Sequence, residues 1–230
     1  DFARWDTNTV WLGYHDGTIS YTTNARSAAP TWIDVGINNP AFSYRYVTDI
    51  AINPFNKDEV FVTIGGYSTD AIWRTTNSGI SWELRQGTLP GIQVNTIRYH
   101  PLNPDRLYIG TDLGVFATED QGATWSAIPA YPGSEGPANV QVNELFFQGD
   151  EYLIAATYGR GMYRCHPFPV IYVDFSNTGL QDGTLSHPFK TVQQGIDAVS
   201  PGSMLSIWGH TYDELNPIVI SKRGRIVPTP

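Results

Sequence analysis

Residues 118–125 read Thr-Glu-Asp-Gln-Gly-Ala-Thr-Trp, TEDQGATW, and how this stretch is understood decides the fold. An aspartate two residues before a glycine suits a tight turn. The carboxylate of Asp120 can accept backbone N–H bonds, and Gly122 can take positive φ. The hydroxyls of Thr118 and Thr124 can satisfy further backbone groups. Trp125 then opens the next strand with a large apolar surface and a single N–H to place. No nucleophile stands beside a base. The stretch is therefore expected to be a structural turn, not a catalytic site.

Working outward, the same device recurs. TTNSGISW, residues 75–82, carries Thr75, Asn77, Gly79 and Trp82 at the same spacing, with Asn77 as the turn acceptor. YTTNARSAAPTW, ending at Trp32, has the same ends around a longer loop. The segments upstream repeat too. Aligning Val10, Val60, Leu107 and Leu153 gives steps of 50, 47 and 46 residues. A near-constant period of this size marks a repeat architecture in which each unit is one supersecondary element. Each unit reads as four short strands bounded by Gly, Asn, Asp or Pro. In the second these are VTDIAINP, VFVTIGG, AIWRTTN and SWELRQG. In the fourth, VNELFFQ, YLIAATY and GMYRCHP have no turn of the TEDQGATW kind and no fourth strand after them.

The turn and its flanks, LYIGTDLGVFATEDQGATW, resemble an Asp-box of the bacterial neuraminidase (BNR) repeat. That repeat is found in sialidases, sortilin-type receptors, xyloglucanases and photosystem assembly factors. The resemblance covers residues 1–168 and implies an all-β fold of about four propeller blades. It implies little about function, because the box is a fold device. The chain opens mid-repeat without Met, and its last repeat is short of a strand. The expectation is a partial ring, the C-terminal part of a larger propeller, with the missing blades supplied by another segment of a parent chain.

From residue 169 the character changes. Val192, Ile196 and Val199 fall on one face of a helix expected over 191–199, closed by Ser200-Pro201-Gly202. MLSIWG and PIVIS read as strands. The pattern Gly183-Thr184, Pro188-Phe189, Thr191, Ile196, then Pro201-Gly202, Tyr212 and Glu214 resembles the N-terminal cap and first coil of a right-handed parallel β-helix. Gly195 stands where that pattern has a small Ala, and His210 separates Gly209 from Thr211. The second domain is thus expected to be residues 169–230, the start of a β-helix with one capping helix.

Composition narrows the partners. The net charge of −8 argues against nucleic acid and anionic membranes. No apolar run reaches membrane-spanning length. With only 16% charged but 13% aromatic residues, the composition is that of secreted β-proteins, and the resemblance to the BNR-repeat families implies an extracellular or cell-surface location. Cys165 alone forms no internal disulfide. His15, His100, His166, His187 and His210 are scattered without ligand spacing, and 177–183 (NTGLQDG) lacks the alternating carboxylates of a calcium loop. No metal and no cofactor is expected.

Propeller geometry supplies the site expectation. The loops joining second to third strands share a face with the starts of the inner strands, opposite the Asp-box turns. Aligning the inner strands places Asp1, Asp49, Thr96 and Glu144 at one position near the channel mouth. The loops add Tyr14, His15, Asp16, Tyr67, Asp70, Asp112, Tyr158 and Arg160. Aromatics beside carboxylates suit carbohydrate, which stacks on rings and offers hydroxyls. Arg160, a cation or water is expected to offset the acidic groups. The favoured reading is a non-catalytic adhesion, scaffold or glycan-binding module whose partner is a polysaccharide or another extracellular protein. The first alternative is a glycoside hydrolase: TDLGVFAT resembles the T-D-x-G-G-x-Y-R segment of xyloglucanases and implies a catalytic role for Asp112, although Val115 replaces the second Gly. The other alternative is an assembly or sorting factor.

Overall fold

The computed structural model describes residues 1–35, 42, 45–127, 139–150, 152–165, 167, 170–199, 204–208 and 225–228. The chain divides into two compact units, residues 1–166 and 167–230.

The first unit is four antiparallel sheets taken in chain order. Strands β1 (Phe2–Ala3), β2 (Asp6–Gly13), β3 (Ile19–Thr22) and β4 (Ile33–Val35) pair consecutively. So do β5 (Val47–Asn53), β6 (Asn56–Ile64), β7 (Ile72–Thr75) and β8 (Glu83–Leu84), and then β9 (Val94–His100), β10 (Asn103–Thr111), β11 (Gly114–Thr118) and β12 (Ser126–Ala127). The fourth sheet, β13 (Val142–Gln148), β14 (Tyr152–Thr157) and β15 (Gly161–Cys165), has three strands among the described residues. The first sheet holds all four strands, with Phe2–Ala3 as its short inner one.

Strand β6 shows why these segments are apolar almost without alternation. Val60, Val62 and Ile64 pack with Trp11 and Ile19 of the first sheet. Phe61 points the other way and packs with Ile97, Leu107 and Ile109 of the third. Alternate residues face opposite sides of a strand, and both sides here are covered, so the run reads VFVTI. Its polar member, Thr63, is fully buried and accepts a bond from the Thr48 hydroxyl at 2.7 Å. Third and fourth sheets meet through Tyr108, Val115, Leu145, Leu153 and Ala155.

The turns after β3, β7 and β11 share one hydrogen-bond network. The Thr118 hydroxyl donates to Asp120 at 2.7 Å and accepts from Gly122 N at 2.9 Å, while Asp120 accepts from Thr124 N at 2.8 Å. Thr75 donates to Asn77 at 3.0 Å and accepts from Gly79 N at 2.9 Å, and Asn77 accepts from Ser81 N at 3.0 Å. Thr22 and Asn24 repeat the first link at 2.8 Å, with Thr31 N donating to Asn24 across the longer loop at 2.9 Å. Gly79 and Gly122 adopt φ of 83° and 81°, where a Cβ is strained. The turn after β11 also nests on the sheet before it. The Trp125 indole donates to Arg85 O at 2.9 Å, and Trp125 N to the Thr88 hydroxyl at 2.9 Å. Trp125 is accordingly buried. Trp82 is only half-buried, set edge-on against Trp11 and Phe42.

In the second unit, β16 (Val170–Asp174), β17 (Met204–Trp208) and β18 (Arg225–Pro228) pair in parallel. The helix α1 (Val192–Ala198) lies between β16 and β17 in sequence. Thr191 caps it: its hydroxyl accepts from Gln194 N, while the Gln194 side-chain oxygen accepts from Thr191 N, a capping box. Val192, Ile196 and Val199 bury against Val173 and Leu205. Gly195 has a steric reason here. A Cβ would lie 2.6 Å from both Leu205 Cδ1 and Val173 Cγ2, so even alanine is excluded unless the helix lifts. Pro201, Gly202, Gly209, His210, Thr211, Tyr212, Glu214 and the PIVIS segment lie outside the described residues.

Candidate functional site

At the starts of the inner strands the acidic groups do come together, but they are spoken for. The Asp49 carboxylate accepts from Ile50 N at 2.8 Å, the Thr96 hydroxyl at 2.7 Å, Ile97 N at 2.9 Å and the Arg98 guanidinium. It is a stitch from the second sheet to the inner strand of the third. Thr96 makes the next stitch, accepting from Leu145 N of the fourth sheet at 3.3 Å. Arg98 also reaches Glu144 at 3.1 Å. The guanidinium between Asp49 and Glu144 is therefore that of Arg98, whereas Arg160 lies exposed on the loop after β14. Arg98 was legible as a strand neighbour of Thr96, two residues on and so on the same face.

Asp1 does not belong to this set. Its backbone exchanges hydrogen bonds with Trp11, at 3.0 and 2.9 Å, which registers it with Ala51 and Arg98 instead of Asp49 and Thr96. Strand β1 is two residues long, too short for any periodicity in the sequence to fix its register. The Asp1 carboxylate accepts from Ile52 N at 3.2 Å.

The loops between second and third strands carry the more open chemistry. Asp112, half-buried at the end of β10, accepts from the Tyr67 hydroxyl at 2.5 Å and from Asn95 Nδ2 at 3.1 Å. Asn95 is anchored in turn on Val142 O at 3.1 Å. One carboxylate thus gathers groups from the second and third sheets and is tied to the fourth. Its hydrogen bond, and then its charge, push the Tyr67 phenol above its ordinary pKa, so the tyrosine stays a donor. The Tyr67 ring itself is 74% exposed, as is Tyr158. Tyr14, Tyr46 and Leu113 are exposed as well.

Asp70 and Asp16 serve their own loops. Burial works to raise the Asp70 pKa, but bonds from Ser68 and Arg45 outweigh it and hold the group below the ordinary range. The Arg45 contact is 2.6 Å. Asp16 accepts from Thr18 N at 3.0 Å, and this bond lowers its pKa. Among the described residues, no three His, Cys, Asp or Glu side chains come together as metal ligands would.

No protein-family model matches the chain. The xyloglucanase Xgh74A of Acetivibrio thermocellus is 30% identical over 119 residues, which is 44% of this chain and 14% of that protein. The chain therefore spans about a seventh of the curated relative it matches. Among solved structures, a GH74 enzyme of Niastella koreensis superposes with TM-score 0.52 at 17% identity, covering 77% of this chain and 32% of that one. The β-propeller domain of Cps50 (Swd1) from Myceliophthora thermophila gives TM-score 0.51 at 12% identity, covering 72% and 50%. At such identities the likeness speaks for fold alone. The first unit is built of β-propeller sheets, and its relatives in sequence are xyloglucanases.

Proposed function

We propose that residues 1–166 are Asp-box blades of a polysaccharide-acting propeller of the xyloglucanase kind, and that the loop face around Asp112 is where the glucan lies. The observation that carries this is Asp112. It is a half-buried carboxylate oriented by Asn95 and by the hydroxyl of the exposed Tyr67, on a chain whose sequence relatives are xyloglucanases. Sugar rings stack on Tyr67 and Tyr158, and hydroxyls donate to the free lone pairs of Asp112. The non-catalytic adhesion reading draws no support from the relatives, and the hydrolase reading fits them better.

Hydrolysis of a glycosidic bond takes two carboxylates at a defined separation. On this face Asp112 is joined by a phenol and an amide, so the segment would contribute one acid and the platform. Asp49 and Glu144 support the face through Arg98. Further blades would come from another segment of the polypeptide, and an extracellular or cell-surface setting goes with a polysaccharide partner. Residues 167–230, with their parallel strands and capped helix, are read as the first coil of a β-helix.

The test is affinity electrophoresis in gels containing xyloglucan, comparing the chain with Tyr67→Ala, Asp112→Asn and Asp120→Ala. Retardation should fall several-fold in the first two and persist in the third. Equal retardation in all, or loss only in a folded Asp120 variant, would overturn the assignment.

A further inference from the structure

Tyr67 reaches Asp112 from the loop joining β6 to β7, in a different sheet, with its ring largely in solvent. A hydrogen bond so open to water holds a side chain weakly by itself, and ordering the ring costs rotamer freedom. The pairing therefore depends on how firmly the backbone beneath each partner is fixed. One residue holds both. Gln93, just before β9, is buried. Its Oε1 accepts from Gly66 N, next to Tyr67, at 2.7 Å, and its main-chain carbonyl accepts from Asp112 N at 3.3 Å.

The side-chain amide fits in one orientation. Oε1 also accepts from the Tyr46 hydroxyl at 3.3 Å, while Nε2 donates to Val94 O at 3.0 Å, so the oxygen meets two donors and the nitrogen an acceptor. Other contacts tighten the loop around this point. Arg45 Nε donates to Gly65 O at 2.9 Å, and Ile64 N to Ala71 O at 2.8 Å. The Tyr46 ring lies against Gly65, where a Cβ would sit 2.2 Å from Tyr46 Cζ.

Comparison between repeats separates what serves the fold from what serves the site. The main-chain bond recurs: Gly65 N donates to Tyr46 O at 2.8 Å, and Tyr158 N to Gln141 O at 2.9 Å. The side-chain reach into the preceding sheet's loop does not follow from the position, because Gln141, the same residue type at the equivalent place, is exposed.

We propose that Gln93 is the positioning residue of the Asp112 site: its side-chain oxygen fixes the 65–71 loop so that the Tyr67 hydroxyl lies on Asp112 before any ligand arrives. Such preorganisation lowers the ordering cost of binding. The purpose of the pair rests on the glucan reading, but its geometry is read out without sugar, so the two can fail separately.

The test follows the Tyr67 phenol by NMR in protein labelled with carbon-13 at tyrosine Cζ, the resonance being assigned by its loss in Tyr67→Phe. In wild type it should titrate above its ordinary value, because the Asp112 bond and charge favour the protonated phenol. Asp112→Asn should bring it down. Gln93→Met, of similar length but without the acceptor, should do the same, as should Gln93→Ser, which is too short to reach Gly66 N. Tyr46→Phe should leave it nearly in place, since Gly66 N keeps its acceptor, and Tyr158 should not move in any variant. A Tyr67 phenol that stays raised in folded Gln93→Met or Gln93→Ser protein overturns the proposal, as does one that titrates at its ordinary value in wild type. A merely structural role would lower the melting midpoint and leave this titration alone. On xyloglucan gels the Gln93 variants should lose retardation several-fold, like Tyr67→Ala. If the phenol responds as expected while retardation is the same in every variant, the positioning role stands and the glucan reading falls.

Discussion

Trp82 and Trp125 occupy the same place in two copies of one turn, yet the structure predicts different costs for replacing them with phenylalanine. Trp125 is 6% exposed and donates to Arg85 O at 2.9 Å. Losing that bond costs about 0.5–1.5 kcal/mol, with a further penalty because the carbonyl keeps no replacement donor in a packed site. The smaller ring also leaves a void against the second sheet. The expected total for Trp125→Phe is about 2 kcal/mol. The buried Trp82 indole nitrogen has no acceptor among the described residues, and the ring is only half-buried. Trp82→Phe removes an unpaired donor and little packing, so about 0.5 kcal/mol or less is expected. For a unit of this size the difference should separate the melting midpoints by roughly 3–6 °C. Urea and thermal melts followed by far-ultraviolet circular dichroism would measure both variants against wild type. Equal destabilisation would refute the reasoning, because the two residues would then act through the motif position and not through their own contacts.

Other consequences follow from the same geometry. Asp120→Ala should cost about 1 kcal/mol, since Thr118 and Thr124 lose their shared acceptor; denaturant midpoints measure it. Burial tends to raise the Asp120 pKa, but the Thr124 and Thr118 bonds outweigh it and lower the value. Its contribution is thus present above the unfolded carboxylate pKa and is lost as pH falls through the depressed folded value. Wild type and Asp120→Ala should therefore converge in stability below about pH 4, which acid titration of the two melts would show. Gly110→Val should destabilise by about 1–3 kcal/mol through overpacking. A Cβ there already lies 2.6 Å from Thr96 Cγ2 and 2.7 Å from Val142 Cγ1, and chemical melts would fail to show the loss only if the third and fourth sheets can part. Thr191→Ala removes the capping box of α1 and should lower the stability of the second unit by about 1 kcal/mol, seen as faster amide exchange in 192–199.

Much of this was readable along the chain because the forces concerned are local. The Thr118–Trp125 turn closes on its own backbone, so the spacing of Thr, Asp and Gly was enough to predict its bonds. The capping of α1 is equally local: Thr191 and Gln194 lie three residues apart. The repeat made the strands legible, since each copy tests the others. What stayed hidden lies between sheets. Asp49 looked like a free acid at a channel mouth, but its oxygens are taken by Ile97 N, Thr96 and Arg98, some fifty residues away in the next repeat. Asp1 aligns with it along the sequence, and only the pairing with Trp11 places it in another register. Asn95 carried no signal by itself. It matters because sheet packing brings it to Asp112 and Val142 together. Gly195 stood out only as a departure from the small Ala of the β-helix pattern, and Gly110 carried no signal; at each, neighbouring side chains leave little room for a Cβ. Turns and caps are settled by a few adjacent residues and can be read in order, whereas a contact between repeats depends on how two sheets or a helix and a strand pack, which no single stretch encodes.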